Sequence, residues 1–281
     1  MRLGAHISAA GGVSKAFPRA VEVEAECMQI FTRNQNRWAS KPIPEEEANR
    51  FIQLRLETGI GPNMAHGSYL INLATVDPIL ETKSIQAFLD EIHRCDQLEI
   101  EYFVFHPGAH KGEGEERGIA LVAQRLDRII EEAGEGSQVT ILLENTAGQG
   151  TTLGYEFSQL RDIIGACNYP ERLGVCIDTC HTLAAGYDIR TRETYEATVE
   201  QLIAAVTLDK VLGFHFNDSK KEFGSKRDRH EQIAEGFVGL EAFEFFVNDA
   251  RFEGLPCSLE TPEAEERYKQ ELKLLRGLRT S

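Results

Sequence analysis

No apolar run in the 281-residue chain approaches the ~20 residues of a membrane-spanning helix, so no such span is expected. The opening residues, Met1-Arg2-Leu3-Gly4-Ala5-His6, have neither the basic start nor the long apolar stretch of a secretory leader. The cytoplasm, and the nucleoid within it, is the expected location. Cysteine is sparse: Cys27, Cys95, Cys167, Cys176, Cys180 and Cys257. Only Cys176 and Cys180 lie close together and no CxxC spacing occurs, which excludes a cysteine zinc ribbon and reads as reduced thiols, mostly core filler. No internal repeat, low-complexity segment or Pro/Gly/Ser linker divides the chain, so one domain is expected over residues 1–281. The glycine-rich nucleotide turn is missing too, because Gly11-Gly12 after the first strand does not make GxGxxG. Positive charge is also short. Lys and Arg number 30 against 45 Asp and Glu, a net charge of −15, which taken alone argues against a nucleic-acid partner.

What the chain does contain is a repeated alternation of short apolar runs with amphipathic stretches, the pattern of βα units and a parallel sheet. Strands are expected at Arg2–Ile7, Cys27–Thr32, Gly61–His66, Tyr102–His106, Val139–Asn145, Leu173–Asp178, Val211–Asn217 and Leu255–Thr261. Helices are expected at Glu45–Glu57, Ile79–Leu98, Glu115–Ala133, Glu156–Ala166, Arg192–Val206, Leu240–Asp249 and Glu263–Arg279. Ile85, Phe88, Leu89, Ile92 and Leu98 form a stripe of helical period on the second of these. Eight strand signals, nearly all followed by helices, predict the α/β class and a closed (β/α)8 TIM barrel.

The informative pattern is positional. Six consecutive expected strands carry, at or within two residues of their ends, His66, His106, Glu144, Asp178, His215 and Glu260, and His181, Asp228 and His230 follow shortly after strands six and seven. In such a barrel the C-terminal strand ends converge on one mouth, where catalytic residues gather from several strands. A single histidine at a strand end is more often a hydrogen-bonded core residue. Nine metal-type residues at corresponding positions are poorly explained that way, since four carboxylates at one mouth would repel one another without cations. Imidazole plus carboxylate without thiolate suits zinc, manganese or iron, and nine ligands fit two to three ions with one bridging carboxylate. His93 reads as a surface residue. His6 reads as a supporting hydrogen-bond partner, and His110 as a supporting or phosphate-contact residue. Cys176 and Cys180 read as core.

These segments resemble a known family. Ala65-His66-Gly67-Ser68-Tyr69-Leu70-Ile71-Asn72-Leu73, Phe105-His106-Pro107-Gly108-Ala109-His110 and Leu143-Glu144-Asn145-Thr146-Ala147-Gly148-Gln149-Gly150 are similar to motifs of the endonuclease IV family of abasic-site endonucleases. So are Cys176-Ile177-Asp178-Thr179-Cys180-His181, His215-Phe216-Asn217-Asp218-Ser219-Lys220, Asp228-Arg229-His230 and Leu259-Glu260-Thr261-Pro262. The resemblance runs end to end. It implies a barrel with three Zn2+, open to Mn or Fe substitution, that cuts double-stranded DNA 5′ to an abasic site in base excision repair, leaving a 3′-hydroxyl and a 5′-deoxyribose phosphate. It further implies one zinc on His66, His106 and Glu144, and a second on Glu144, Asp178, His215 and Glu260. The third would lie on His181, Asp228 and His230. Glu144, as the bridge, is the expected catalytic residue. Asn36, Arg37, Tyr69 and Leu70 match the segments that enter the DNA, and a monomer is expected. Two departures stand out. Asn36 then Arg37 follow Asn34-Gln35 where the family often has Arg at once, and Ala234 stands where a glycine is frequent.

Phosphodiester hydrolysis needs a nucleophile, neutralisation of the phosphate and help for the leaving oxygen. A metal-bound water, its pKa lowered from ~15.7 to about 7, answers the first need. The charge objection weakens with three Zn2+, since adding +6 to −15 leaves −9 and makes the mouth itself cationic. Arg33, Arg37, Lys111, Lys220, Lys221, Lys226, Arg227 and Arg229 all fall in expected mouth loops, a set suited to a DNA backbone. The alternative is a single-metal sugar isomerase or epimerase of the xylose-isomerase-like barrels, using Glu144, Asp178, His215 and Glu260 alone. It leaves the other five ligand-type residues without employment.

Overall fold

The computed structural model describes residues 1–280, so only Ser281 of the expected domain lies outside the described residues. Its strands are β1 (Arg2–His6), β2 (Cys27–Ile30), β3 (Met64–His66), β4 (Tyr102–Phe105), β5 (Thr140–Glu144), β6 (Leu173–Asp178), β7 (Val211–Phe216), β8 (Asp218–Ser219), β9 (His230–Glu231) and β10 (Pro256–Leu259). Eight of them close into a parallel barrel in the order β1, β10, β7, β6, β5, β4, β3, β2, with β2 returning to β1. β8 and β9 form a separate antiparallel pair in the connection after β7.

The helices are α1 (Ala16–Glu22), α2 (Glu45–Thr58), α3 (Pro78–Leu98), α4 (Glu115–Ala133), α5 (Phe157–Ala166), α6 (Thr179–Ala185), α7 (Arg192–Val206), α8 (Leu240–Val247) and α9 (Ala264–Gly277). Local chemistry sets their ends. The Asp77 side chain accepts from the Ile79 and Leu80 amides, and Pro78 fills the first helical position, where an amide hydrogen would have no partner. Gly59 ends α2 in the left-handed conformation at φ 67°. Among the described residues no helix is long and apolar enough to cross a membrane.

Strand side chains alternate between faces with period two, and this carries the chemistry to the mouth. Met64, Val104, Leu142 and Cys176, one from each of β3 to β6, pack together as a fully buried cluster. Two residues further on stand His66, His106, Glu144 and Asp178. The same step leads from Gly213 to His215, from Ser258 to Glu260, from Gly4 to His6 and from Cys27 to Gln29, so all eight barrel strands contribute to one upper layer. The other face packs on the helices. Phe103 and Phe105 meet Phe88 of α3 at 4.8 and 4.9 Å, and Phe214 meets Phe246 of α8 at 5.6 Å. Each such buried ring contributes roughly 1.5–3 kcal/mol relative to exposure.

The expected barrel and its order of elements are observed, with differences at the edges. β3 starts at Met64 rather than Gly61, since Pro62 has no amide hydrogen to give the ladder. β4 ends one residue before His106, which precedes Pro107, and β10 ends one residue before Glu260. β7 runs one residue past His215. The sequence reading expected neither α1 nor α6. Both are seven residues long, less than the window over which a helical period declares itself.

Candidate metal centre

At the mouth, Glu144 is the hub. It ends β5 with 1% exposure, and its Oε2 lies 3.0 Å from His66 Nε2 and 3.1 Å from His106 Nε2. Its Oε1 lies 3.0 Å from His215 Nδ1 and 3.4 Å from His181 Nδ1. Glu260 Oε2 approaches the same His215 nitrogen at 3.4 Å. Asp228, in the β8–β9 connection, sits between His181 Nε2 at 3.2 Å and His230 Nε2 at 3.3 Å. Ligand atoms of His66, His106 and Glu144 lie close enough together to hold one ion, and so do those of Glu144, Asp178, His215 and Glu260. Asp178 also groups with His181 and His230. All nine sequence-expected ligand residues are therefore gathered, and Asp178 lies nearer the third cluster than the sequence suggested.

The outer hydrogen bonds orient the rings. His66 Nδ1 meets the Gly67 carbonyl at 2.8 Å, His181 Nδ1 that of Asn145 at 2.9 Å and His230 Nδ1 that of Glu260 at 3.1 Å. His215 is turned the other way, with Nε2 at 2.8 Å from Gln29 Oε1. A ring that donates one N–H to a carbonyl presents its other nitrogen as a lone pair, and in all four that nitrogen faces carboxylates. Nε2 of both His181 and His230 is buried with no hydrogen-bond partner, a costly arrangement unless a cation meets it. The carboxylates are held likewise: Asn217 Nδ2 donates to Asp178 at 2.6 Å, and Gln29 Nε2 to Glu260 at 2.6 Å. Donor type, orphaned nitrogens and bridging carboxylate all fit divalent metal.

Electrostatics among the protein's own groups tells the same story. Burial opposes ionisation of Glu144, but His215 and His106 outweigh it and hold the carboxyl well below its usual range. Burial likewise opposes ionisation of Asp228, and the His181 and His230 imidazoles on either side reverse the effect. Burial alone would lower His181 and His215, yet Asp178 raises the first well above its ordinary value, and Cys176 with Glu260 raises the second. For His230, Asp228 and Asp178 overcome burial and raise the pKa to about 9. The pocket is built for positive charge.

The sequence alone assigns no role to Gln29, Asn145 and Asn217. Their signal was a polar residue within or just after an apolar strand run, as in Cys27-Met28-Gln29-Ile30. His6 touches Glu260 at 3.0 Å, the supporting contact expected of it. His93 is exposed, also as read. His110 Nδ1 accepts the Gly112 and Gly114 amides and so shapes its own loop. Cys176 lies in the barrel core. The Cys180 sulfur groups with Asp228 and His230, and burial pushes its thiol up to about 12.

Around the rim, Tyr69 is 59% exposed and stands over the centre, its ring 5.6 Å from His66 and 6.1 Å from His106. Leu70 is half-buried, while Asn36 and Arg37 are exposed. Ser68 Oγ donates to the Gln35 carbonyl at 2.6 Å, tying the two segments together. Of the cationic set, Arg37, Lys111, Lys220, Lys226, Arg227 and Arg229 are exposed and Lys221 is half-buried. Arg33 departs from that reading: it is 7% exposed and turned inward.

The family model for xylose isomerase-like TIM barrels matches residues 17–278. Probable endonuclease 4 of Chloroflexus aurantiacus is 51% identical over 279 residues, covering 99% of this chain and 98% of the relative. Probable endonuclease 4 of Citrifermentans bemidjiense is 45% identical over 278 residues, with 98% of each covered. The crystal structure of endonuclease IV from Thermus thermophilus matches with a TM-score of 0.89 at 32% identity, covering 99% of this chain and 98% of that one. A D-tagatose 3-epimerase-like protein, at 18% identity and TM-score 0.73, shares the fold. The chain belongs to the endonuclease IV family and is, by that membership, an enzyme of the phosphodiester hydrolase class.

Proposed function

We propose that this enzyme cuts the DNA phosphodiester 5′ to an abasic site, leaving a 3′-hydroxyl and a 5′-deoxyribose phosphate, as the incision step of base excision repair. The carrying observation is that four overlapping groups of ligand-type residues share one mouth, with Glu144 common to two of them and Asp178 and His230 each common to two. Residues 1–281 act as one catalytic domain. Three Zn2+ would be held by His66, His106 and Glu144, by Glu144, Asp178, His215 and Glu260, and by His181, Asp228 and His230. When bound, zinc supplies Lewis acidity and a water acidified to near neutral pH.

The protein's own groups supply placement. Glu144 spans two clusters and so fixes their spacing, which makes it the catalytic residue of the set. The carbonyls of Gly67, Asn145 and Glu260 hold three imidazole rings in the tautomer that offers an inner lone pair. Tyr69 and Leu70, at the rim of the mouth, would act as a wedge supporting an extruded nucleotide, and Asn36 with Arg37 on the adjoining loop would reach the groove. The exposed Arg and Lys side chains of the rim would contact phosphates. A single-metal epimerase would use only the Glu144, Asp178, His215 and Glu260 group and leave Asp228 wedged between two orphaned imidazole nitrogens without purpose.

A duplex oligonucleotide with one central abasic site tests the reading, with intact duplex and chelated enzyme as controls. Incision only at the abasic site, lost on chelation, with a 3′-hydroxyl that a polymerase extends, is the expected result. Failure to incise with zinc fully loaded would overturn it.

A further inference from the structure

Residues 31–44 connect β2 to α2 without helix or strand, and this segment carries Asn36 and Arg37. A polar connection of that length is ordinarily loose and must be ordered when it binds. Here it is held from beneath. Arg33 Nη2 donates to the carbonyls of Arg37 at 2.6 Å and Trp38 at 2.8 Å, while Nη1 donates to Asp90 of α3 at 2.9 Å. Arg94, one turn along α3, donates through Nε to the same Asp90 at 2.9 Å. Its terminal nitrogens reach the carbonyls of Thr32 at 3.3 Å and Lys41 at 2.7 Å. Glu91, 1% exposed, accepts the Thr32 hydroxyl at 2.5 Å.

One carboxylate, Asp90, thus holds two guanidiniums, which hold four loop carbonyls, while Glu91 on the same turn holds the Thr32 hydroxyl. The cluster is poorly tuned for stability alone. Arg33 Nε and Glu91 Oε1 face each other at 3.7 Å, both buried and both without a hydrogen-bond partner. Buried charge of this kind is often replaced by apolar packing without loss of stability. What the arrangement does supply is a planar fork on consecutive carbonyls beside the exposed Asn36 and Arg37, a geometry that Lys cannot reproduce.

We propose that Arg33, carried on Asp90 of α3, is a positioning residue that presets the Asn36–Arg37 loop for abasic DNA and so lowers the ordering cost of recognition. The inference rests on the proposed function for its DNA half. Its loop half stands apart, because Trp38, the sole tryptophan of the chain, lies at the clamped carbonyls and reports loop order by fluorescence.

Zinc-loaded parent, Arg33→Met, Arg33→Lys and Asp90→Asn proteins are compared. In Arg33→Met, acrylamide quenching of Trp38 in the free protein is expected to rise about twofold as the loop opens locally. Affinity for abasic duplex is expected to fall about tenfold, with saturated single-turnover cleavage within about threefold of the parent, because only the ordering cost has changed. Zinc content and affinity for intact duplex should stay at parent values, and Arg33→Lys should fall between. Asp90→Asn, changed at a carboxylate that is 41% exposed, should repeat the pattern and serves if Arg33→Met does not fold. Unchanged quenching in both variants would overturn the clamp. Raised quenching with unchanged abasic affinity would overturn its role in recognition. A parent that does not prefer abasic duplex would sink the functional reading and the DNA half with it, while the quenching result still decides the clamp.

Discussion

Ala234 sits at φ +70°, in the left-handed region, in the loop between β9 and α8. A Cβ there meets the following carbonyl at a cost of roughly 1 kcal/mol, which glycine does not incur. Ala234→Gly should therefore stabilise the protein by up to about 0.5 kcal/mol, the relief being offset by about 0.4–1 kcal/mol from the freer unfolded chain. A shifted urea midpoint with unchanged slope would show it, and a lowered midpoint would refute it. His230 provides a second test at this scale. Its pKa is raised to about 9 by Asp228 and Asp178 against burial. In chelated protein this interaction stabilises the fold fully below the ordinary pKa of about 6.5, and the contribution is lost as pH rises toward 9. Zinc must displace the same proton, so the affinity of the third cluster should move the opposite way, rising at least about tenfold from pH 6.5 to 8.5. Competition with a chromophoric chelator at the two pH values measures this, and a flat profile would count against His230 as a ligand.

At the scale of elements, α6 and the β8–β9 pair build the third cluster. Asp178 Oδ1 accepts the His181 amide at 2.7 Å, so the residue that caps α6 also belongs to the Glu144-centred group. Replacing His181 and His230 together by Ala leaves that amide cap and every ligand of the other two clusters intact. We assign the third ion the stabilisation of the leaving 3′-oxygen. The double variant should then retain about two metals and much of its abasic-DNA affinity while single-turnover cleavage falls by several orders of magnitude, several kcal/mol of that stabilisation being lost. Near-normal cleavage by protein shown to lack the third ion would refute that assignment. The Tyr69–Leu70 segment is a separate device. Tyr69→Ala/Leu70→Ala should weaken binding to abasic duplex far more than to intact duplex, because a wedge offsets a few kcal/mol of unstacking. The Tyr69 ring lies tilted against His66 and His106, so metal content must be checked alongside. Equal losses on both DNAs would mark the two as packing residues.

For the molecule as a whole, the expectation concerns metal count. Elemental analysis of unchelated protein should find about three transition-metal ions per chain, mainly zinc, and a reproducible value near one would favour the epimerase reading. Removing the ions returns their charge to an already acidic chain of −15 and leaves carboxylates and imidazoles packed at the mouth. Chelated protein should accordingly melt lower than loaded protein, as expected when a ligand binds only the folded state. No change in melting temperature would mean that the clusters hold no metal tightly.

Hydrophobic alternation was enough to announce eight strands with helices between them, because burial on the barrel's two faces writes a local period into the chain. The strand-end placement of His66, His106, Glu144, Asp178, His215 and Glu260 was legible for the same reason. The division of these residues into clusters was readable only through resemblance to a family. Tertiary structure alone decided the rest. Gln29 looks like a flaw in an apolar strand until His215 and Glu260 arrive from 186 and 231 residues away. Asp178 is drawn toward the third cluster by a short helix too brief to show a period. Arg33 reads as one more surface cation, since its burial depends on Asp90 and Glu91, which are 57 and 58 positions distant and invisible to any local window. Local propensity and periodicity determine which face a side chain takes. What meets it there depends on how the barrel closes.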